Sequence, residues 1–134
     1  MDYISIKGYK SIKKARIVLA PINILIGANG SGKSNFISFF DFLNRLCNRK
    51  LNEYIALRVG DNKILYNGKK NTDTISFKME FDKGQNGYSA QLQSGTDGFV
   101  FLKENLIYKG DPKDISRSGT EAQIKVTDNF RAKY

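Results

Sequence analysis

The apolar positions of this chain follow one period, then another, then the first again. Over residues 3–8 apolar and polar residues alternate, as in a half-buried strand. A polar bend at 9–13 leads to a second strand over about 15–20. Pro21 separates that strand from a continuous apolar run, Ile22, Ile24, Leu25 and Ile26. The run predicts a third strand, over 22–26, of the kind a parallel sheet buries on both faces. The period then lengthens. Phe36, Ile37, Phe39, Phe40, Leu43, Leu46 and Cys47 fall on one broad helical face. Ser38, Asp41, Arg45, Asn48 and Arg49 fall on the other. Residues 51–59 are ambiguous, and Leu51, Tyr54, Ile55 and Arg58 have the spacing of a second short helix.

From Asp61 the period returns to two. Ile75, Phe77, Met79 and Phe81 alternate with Ser76, Lys78, Glu80 and Asp82, which predicts a one-faced strand. Residues 83–87, containing Asn86-Gly87, read as a hairpin turn. Tyr88, Ala90 and Leu92 form the returning strand, and 94–98 turn again into 99–102, with 105–108 as a continuation. Residues 64–66 are a candidate short strand. The expected fold class is α/β, a strand–loop–helix unit joined to an antiparallel meander. Beyond Gly110-Asp111-Pro112 apolar residues are isolated among polar ones. The expected division is a body over 1–110 and a weakly ordered tail, or the start of a further lobe, over 111–134.

Charge sharpens this picture. Residues 1–60 carry ten Lys/Arg against three acids, 61–108 carry six of each, and 109–134 carry six against four. The basic excess therefore sits in the N-terminal half, where it would attract a nucleoside triphosphate, with nucleic acid as a second candidate partner. The absence of histidine excludes a histidine base and His-based zinc sites. The single Cys47, on the apolar helix face, reads as a buried free thiol. No apolar stretch approaches 18 residues and no basic-then-apolar leader opens the chain, so a cytoplasmic protein with no membrane partner is expected.

The candidate chemistry lies between the third strand and the long helix. Gly27-Ala28-Asn29-Gly30-Ser31-Gly32-Lys33-Ser34 matches GxxxxGK[ST] in full, the phosphate-binding P-loop or Walker A pattern. Backbone N–H groups of such a loop cradle phosphates, and the helix N-terminus adds its positive end. Lys33 is placed to reach the β- and γ-phosphates, and Ser34 to ligate Mg²⁺. ATP and Mg²⁺ are the expected ligands, although the loop itself contacts phosphates and not the base.

Residues 1–43 resemble the N-terminus of the SMC/RecF-like branch of ABC-type ATPases. They look closest to AAA-type bacterial ATPases associated with DNA repair and phage defence. The resemblance rests on a strand near residue 1, the Tyr9-Lys10-Ser11-Ile12 turn, and INILIGANGSGKSN with Asn29 and Asn35 flanking the loop. It implies that Asn29, Gly30, Ser31, Gly32, Lys33, Ser34 and Asn35 belong to the nucleotide site. It also implies that Lys10 and Ser11 approach the α-phosphate, against the plainer reading of Lys10 as a solvated surface lysine. It further implies a first lobe that pairs with a second lobe, or as a homodimer of heads, with DNA as a candidate partner.

The departures are as informative. Hydrolysis needs a strand-end acid beside the metal. In Phe99-Val100-Phe101-Leu102-Lys103-Glu104 a lysine holds the position of the expected aspartate, leaving Glu104 as the first suspect. The family's signature motif has only Ser-Gly echoes, in Leu92-Gln93-Ser94-Gly95 and Arg117-Ser118-Gly119. No catalytic residue is assigned. ATP binding without turnover is thus expected of this chain, and two alternatives stay open: a non-catalytic nucleotide module, and a basic nucleic-acid-binding domain with a vestigial loop.

Overall fold

A computed structural model describes residues 1–28, 30, 32–56, 61–66, 68, 72–95 and 98–124. Six strands, Tyr3–Tyr9 (β1), Ile12–Val18 (β2), Thr74–Phe81 (β3), Asn86–Gly95 (β4), Gly98–Tyr108 (β5) and Asp111–Asp114 (β6), form one sheet. Their order is β2-β1-β3-β4-β5-β6, and every neighbouring pair is antiparallel. The helices among the described residues are Lys33–Cys47 (α1), Leu51–Tyr54 (α2) and Asp61–Ile64 (α3). The chain is therefore mixed α/β with a six-stranded antiparallel sheet.

Alternation decides which sheet face is covered. Ile4 and Ile6 of β1, Ile75, Phe77, Met79 and Phe81 of β3, and Tyr88, Ala90 and Leu92 of β4 are buried on the inner face. Phe36, Phe39, Phe42, Leu43 and Leu46 of α1 are buried against them. Phe77 sits at the centre, its ring 5.6 Å from Phe39, 6.5 Å from Phe42 and 5.8 Å from Tyr88. Truncating such a buried aromatic ring typically costs about 3–5 kcal/mol. Among the described residues no helix is long and apolar enough to cross a membrane.

Several expectations change. The run over 22–26 is not a strand, and Ile22, Ile24 and Ile26 are 83%, 80% and 89% exposed. A strand forms only where a neighbour accepts its backbone groups, and the six strands of this sheet pair among themselves without it. The buried face of α1 is also rotated from the expected one. Phe42 is fully buried, whereas Ile37 and Phe40 are 59% and 38% exposed. Third, Asn86-Gly87 opens β4, and the turn before it is the 3₁₀ segment Asp82–Gly84, whose three residues have φ near 53°, 55° and 84°. The candidate strand at 64–66 reduces to one bridge, Leu65 to Tyr9, after α3.

The stretch expected as a weakly ordered tail carries structure over 111–124. After β6 the chain runs back along the sheet as a strap. The Ile115 N–H donates to the Glu104 carbonyl at 2.9 Å, and the Phe101 N–H to the Gly119 carbonyl at 2.8 Å. Arg49 Nε donates to the Ala122 carbonyl at 3.1 Å, and Ala122 and Ile124 are buried. Residues 125–134 lie outside the described residues.

Candidate functional site

The glycine-rich loop enters α1 through two left-handed residues, Gly30 at φ 83° and Gly32 at φ 98°. Two further loop residues, Asn29 and Ser31, lie outside the described residues. Backbone shape and not crowding demands these glycines: a Cβ on Gly30 would meet nothing within 4 Å, and one on Gly32 would lie 3.4 Å from Ser11 Oγ. A side chain at such φ is strained whatever the space.

Gly32 is the N-cap of α1, with no side-chain cap, and its carbonyl accepts the first helical bond from the Phe36 N–H at 2.9 Å. The N–H groups of Lys33, Ser34 and Asn35 therefore have no partner within the helix. The first turn holds no acid, whereas Arg45 sits in the last turn, so the positive end of the helix dipole is unneutralised and the negative end is answered. Lys33 Nζ donates across the loop to the Gly27 carbonyl, joining the two ends of the octapeptide. Ser34 is exposed on the first turn.

The β1–β2 turn is stapled to this helix start. Gly8, at φ 83°, lies so close to β3 that a Cβ there would overlap the Thr74 carbonyl oxygen. Past Gly8 the Tyr9 side chain turns inward, its ring 5.0 Å from Phe39 and 5.5 Å from Phe42. Tyr9 Oη and Ser38 Oγ are 2.8 Å apart, Lys10 Nζ donates to Ser38 Oγ at 3.1 Å, and Ser38 donates to the Asn35 carbonyl at 2.9 Å. The single Ser38 proton being used on Asn35, Tyr9 is the donor in the first contact. Burial pushes the Tyr9 hydroxyl up to about 12 even though the Ser38 bond opposes it. Asn35 Nδ2 donates in turn to Ser11 Oγ at 2.7 Å.

Lys10, Ser11, Gly32 and Asn35 thus meet beside the loop, with Lys33 spanning it. Ser38 and Tyr9 hold the group together. Both escape sequence reasoning because a contact across 29 residues leaves no spacing signal.

Glu104 is elsewhere. Its carboxylate is fully buried and accepts from Tyr88 Oη at 2.6 Å, from the Gln123 N–H at 2.9 and 3.0 Å, and from the Ile124 N–H at 3.2 Å. Burial, followed by the bond to Glu104, pushes the Tyr88 hydroxyl far above its ordinary range. Cys47, at the far end of α1, feels the Glu104 charge. That end lies roughly 20 Å from Lys33 at about 1.5 Å per residue. Glu104 is therefore a clamp on the strap and not an acid of the loop. The Ser-Gly echoes are also structural: Gly95 pairs with Gly98 in the β4–β5 ladder, and Gly119 accepts from Phe101. Among the described residues no group of three or more His, Cys, Asp or Glu could hold a metal. The arrangement can bind a polyphosphate. Among the described residues, none of the hydrogen bonds within this group involves a carboxylate.

Compared with models of known protein families, residues 1–131 match one described as an AAA ATPase domain. A comparison with curated proteins finds no match.

Proposed function

With that match over nearly its whole length, the chain belongs to the AAA ATPase domain family, and from this premise we propose that it binds ATP with Mg²⁺ at residues 27–34. One observation carries the reading: the full GxxxxGK[ST] sequence leads, through left-handed Gly30 and Gly32, into an uncapped, acid-free helix start. Free N–H groups, the dipole end and Lys33 converge where a triphosphate needs donors and positive charge. Gly27, Asn29, Gly30, Ser31, Gly32 and Asn35 form the cradle, Lys33 meets the β- and γ-phosphates, and Ser34 supplies the metal ligand. The Lys10-Ser11 turn flanks the α-phosphate.

The chain acts as the first lobe of an SMC/RecF-like head. The exposed apolar run 22–26, together with Ile37 and Phe40 on the uncovered side of α1, supports a second polypeptide layer beyond this sheet, whether a second lobe or a partner head. DNA repair or phage defence, in the cytoplasm, is the cellular role this reading favours. The lone chain holds ATP and turns it over at background rate. In P-loop enzymes the water-positioning and charge-stabilising parts carry most of the rate, a single added arginine being worth about 10³–10⁵.

Calorimetry on wild type and Lys33→Ala, with steady-state phosphate release on both, tests the assignment. Mg²⁺-dependent ATP binding that Lys33→Ala weakens, with phosphate release at background in both, is the expected result. Equal affinity in both proteins would falsify the site.

A further inference from the structure

We propose that Tyr9 and Ser38 are positioning residues of the nucleotide site: the buried Tyr9 hydroxyl fixes the Ser38 hydroxyl, and Ser38 fixes the Lys10 ammonium beside the loop. On the reading of residues 27–34 as the ATP loop, on which this proposal rests, the pair makes a lysine from the β1–β2 turn part of a site built on α1. The backbone of Lys10 gives the first indication. Lys10 opens the two-residue turn between β1 and β2 at φ 46°, a left-handed angle that favours glycine and is uncommon for a long side chain. The turn is held there by its neighbours. The Lys10 N–H donates to the Ile64 carbonyl at 2.7 Å, and the Tyr66 N–H to the Gly8 carbonyl at 2.9 Å. A glycine would serve this backbone with less strain, so the lysine is there for its side chain.

That side chain is oriented without being neutralised. Lys10 Nζ donates to Ser38 Oγ at 3.1 Å and lies 5.5 Å from the centre of the Tyr9 ring. Among the described residues no carboxylate pairs with it. A hydroxyl and a ring face hold an ammonium in place and leave its charge for an incoming anion.

Ser38 can hold Lys10 because its own hydrogen bonds are complete. Its proton goes to the Asn35 carbonyl at 2.9 Å, and its lone pairs accept from Tyr9 Oη at 2.8 Å and from Lys10. Tyr9 is only 1% exposed, so its hydroxyl has little choice of partner and pins Ser38 Oγ. Asn35, whose carbonyl anchors Ser38, sends its amide to Ser11 Oγ at 2.7 Å. Both residues of the turn are thereby tied to the start of the helix that the loop enters. Packing alone does not require this chain of bonds, since a phenylalanine at position 9 would fill the same space against Phe39 and Phe42. The hydroxyls add the fixed place of Lys10.

The test is calorimetry of Mg²⁺-ATP with the whole chain, arranged as a double-mutant cycle between Ser38 and Lys10. Ser38→Ala should weaken binding about three- to tenfold, the range that ordering one long side chain costs. In a Lys10→Ala background Ser38→Ala should cost nothing further, whereas a merely structural role would carry its loss into both backgrounds. Ser38→Thr, which keeps the hydroxyl, should restore affinity to within about twofold, the usual error of such cycles. Should Ser38→Ala fail to fold by far-UV CD, Tyr9→Phe keeps the ring and removes only the hydroxyl. It should weaken binding more than about twofold when Lys10 is present and not when it is absent. Lys33→Ala separates the two levels of the claim. No binding by wild type, or equal binding by Lys33→Ala, would overturn the reading of the loop and this inference with it. Binding that Lys33→Ala weakens, with Ser38→Ala and Tyr9→Phe either harmless or equally costly with and without Lys10, would leave the loop standing and overturn the positioning role.

Discussion

Two segments of this chain exchange the places their compositions foretell. Residues 22–26 are almost wholly apolar and stand in solvent, and residues 111–124 are mostly polar and are docked. The difference lies in what each backbone meets. The strap finds a strand edge for β6, carbonyls at Glu104 and Gly119, and a buried carboxylate that accepts from Gln123 and Ile124. The apolar run finds no strand beside it among the six of this sheet. Hydrophobicity states what a segment would gain by burial, and the availability of backbone partners decides where it goes.

Removing the clamp should have the largest effect. Glu104→Ala leaves the Tyr88 hydroxyl and the Gln123 and Ile124 N–H groups buried without their acceptor. Each such group costs about 1–3 kcal/mol, and partial relaxation brings the expected loss to about 3 kcal/mol in urea unfolding. Glu104→Gln, which keeps one acceptor oxygen, should lose less. Hydrogen exchange should show residues 115–124 released while β3 and β4 stay protected. A loss below about 1 kcal/mol with the strap still protected would mean that the ladder of β6, and not the carboxylate, holds this segment.

A smaller effect comes from Cys47, which shares the clamp's surroundings. Burial, and then the Glu104 charge, pushes its thiol up to about 11 from an ordinary 9.0. A folded-state value above the unfolded one favours folding fully below pH 9 and loses that contribution as pH rises to 11. The shift amounts to about 3 kcal/mol at most, by the standard conversion of a pKa difference. Cys47→Ala should therefore flatten the fall in stability between pH 9 and 11. In Glu104→Ala the midpoint for thiol alkylation of Cys47 should move down. An alkylation midpoint near the ordinary value in wild type would show the thiol to be open, and the docked region looser than described.

Much of this was legible in the sequence, for reasons that can be named. The alternation of Ile75, Phe77, Met79 and Phe81 is unbroken because one face of β3 is covered and the other is not. Two glycines of the octapeptide, Gly30 and Gly32, sit at positive φ, where glycine is the residue a sequence reader expects. Of the turn that the resemblance named, Ser11 lies against Gly32 and Asn35, and Lys10 reaches Ser38. The tilt of α1 was not legible. Counting Ile37 and Phe40 with the core moved the expected face away from Phe42, since so broad an apolar arc does not reveal which of its flanks the rest of the chain covers. The strap was illegible for a different reason: its anchors are backbone groups and one carboxylate, and neither leaves a periodic trace.

The smallest effect tests the other half of the comparison. If residues 22–26 truly lack a neighbour in this sheet, their apolar side chains contribute almost nothing to its stability. Ile24→Ser/Ile26→Ser should change unfolding free energy by no more than about 0.5 kcal/mol, the range of surface substitutions. Burial of two isoleucines would instead make the pair worth several kcal/mol by the usual large-to-small scale. Two residues at 80% and 89% exposure cannot supply that. The same variant should be more soluble than wild type, because it breaks up an exposed apolar stretch that invites strand addition. Denaturant unfolding and light scattering on the purified chain read both quantities. A destabilisation of 2 kcal/mol or more would show the run packed within this chain. It would then withdraw the argument that residues 22–26, with Ile37 and Phe40, await a second layer.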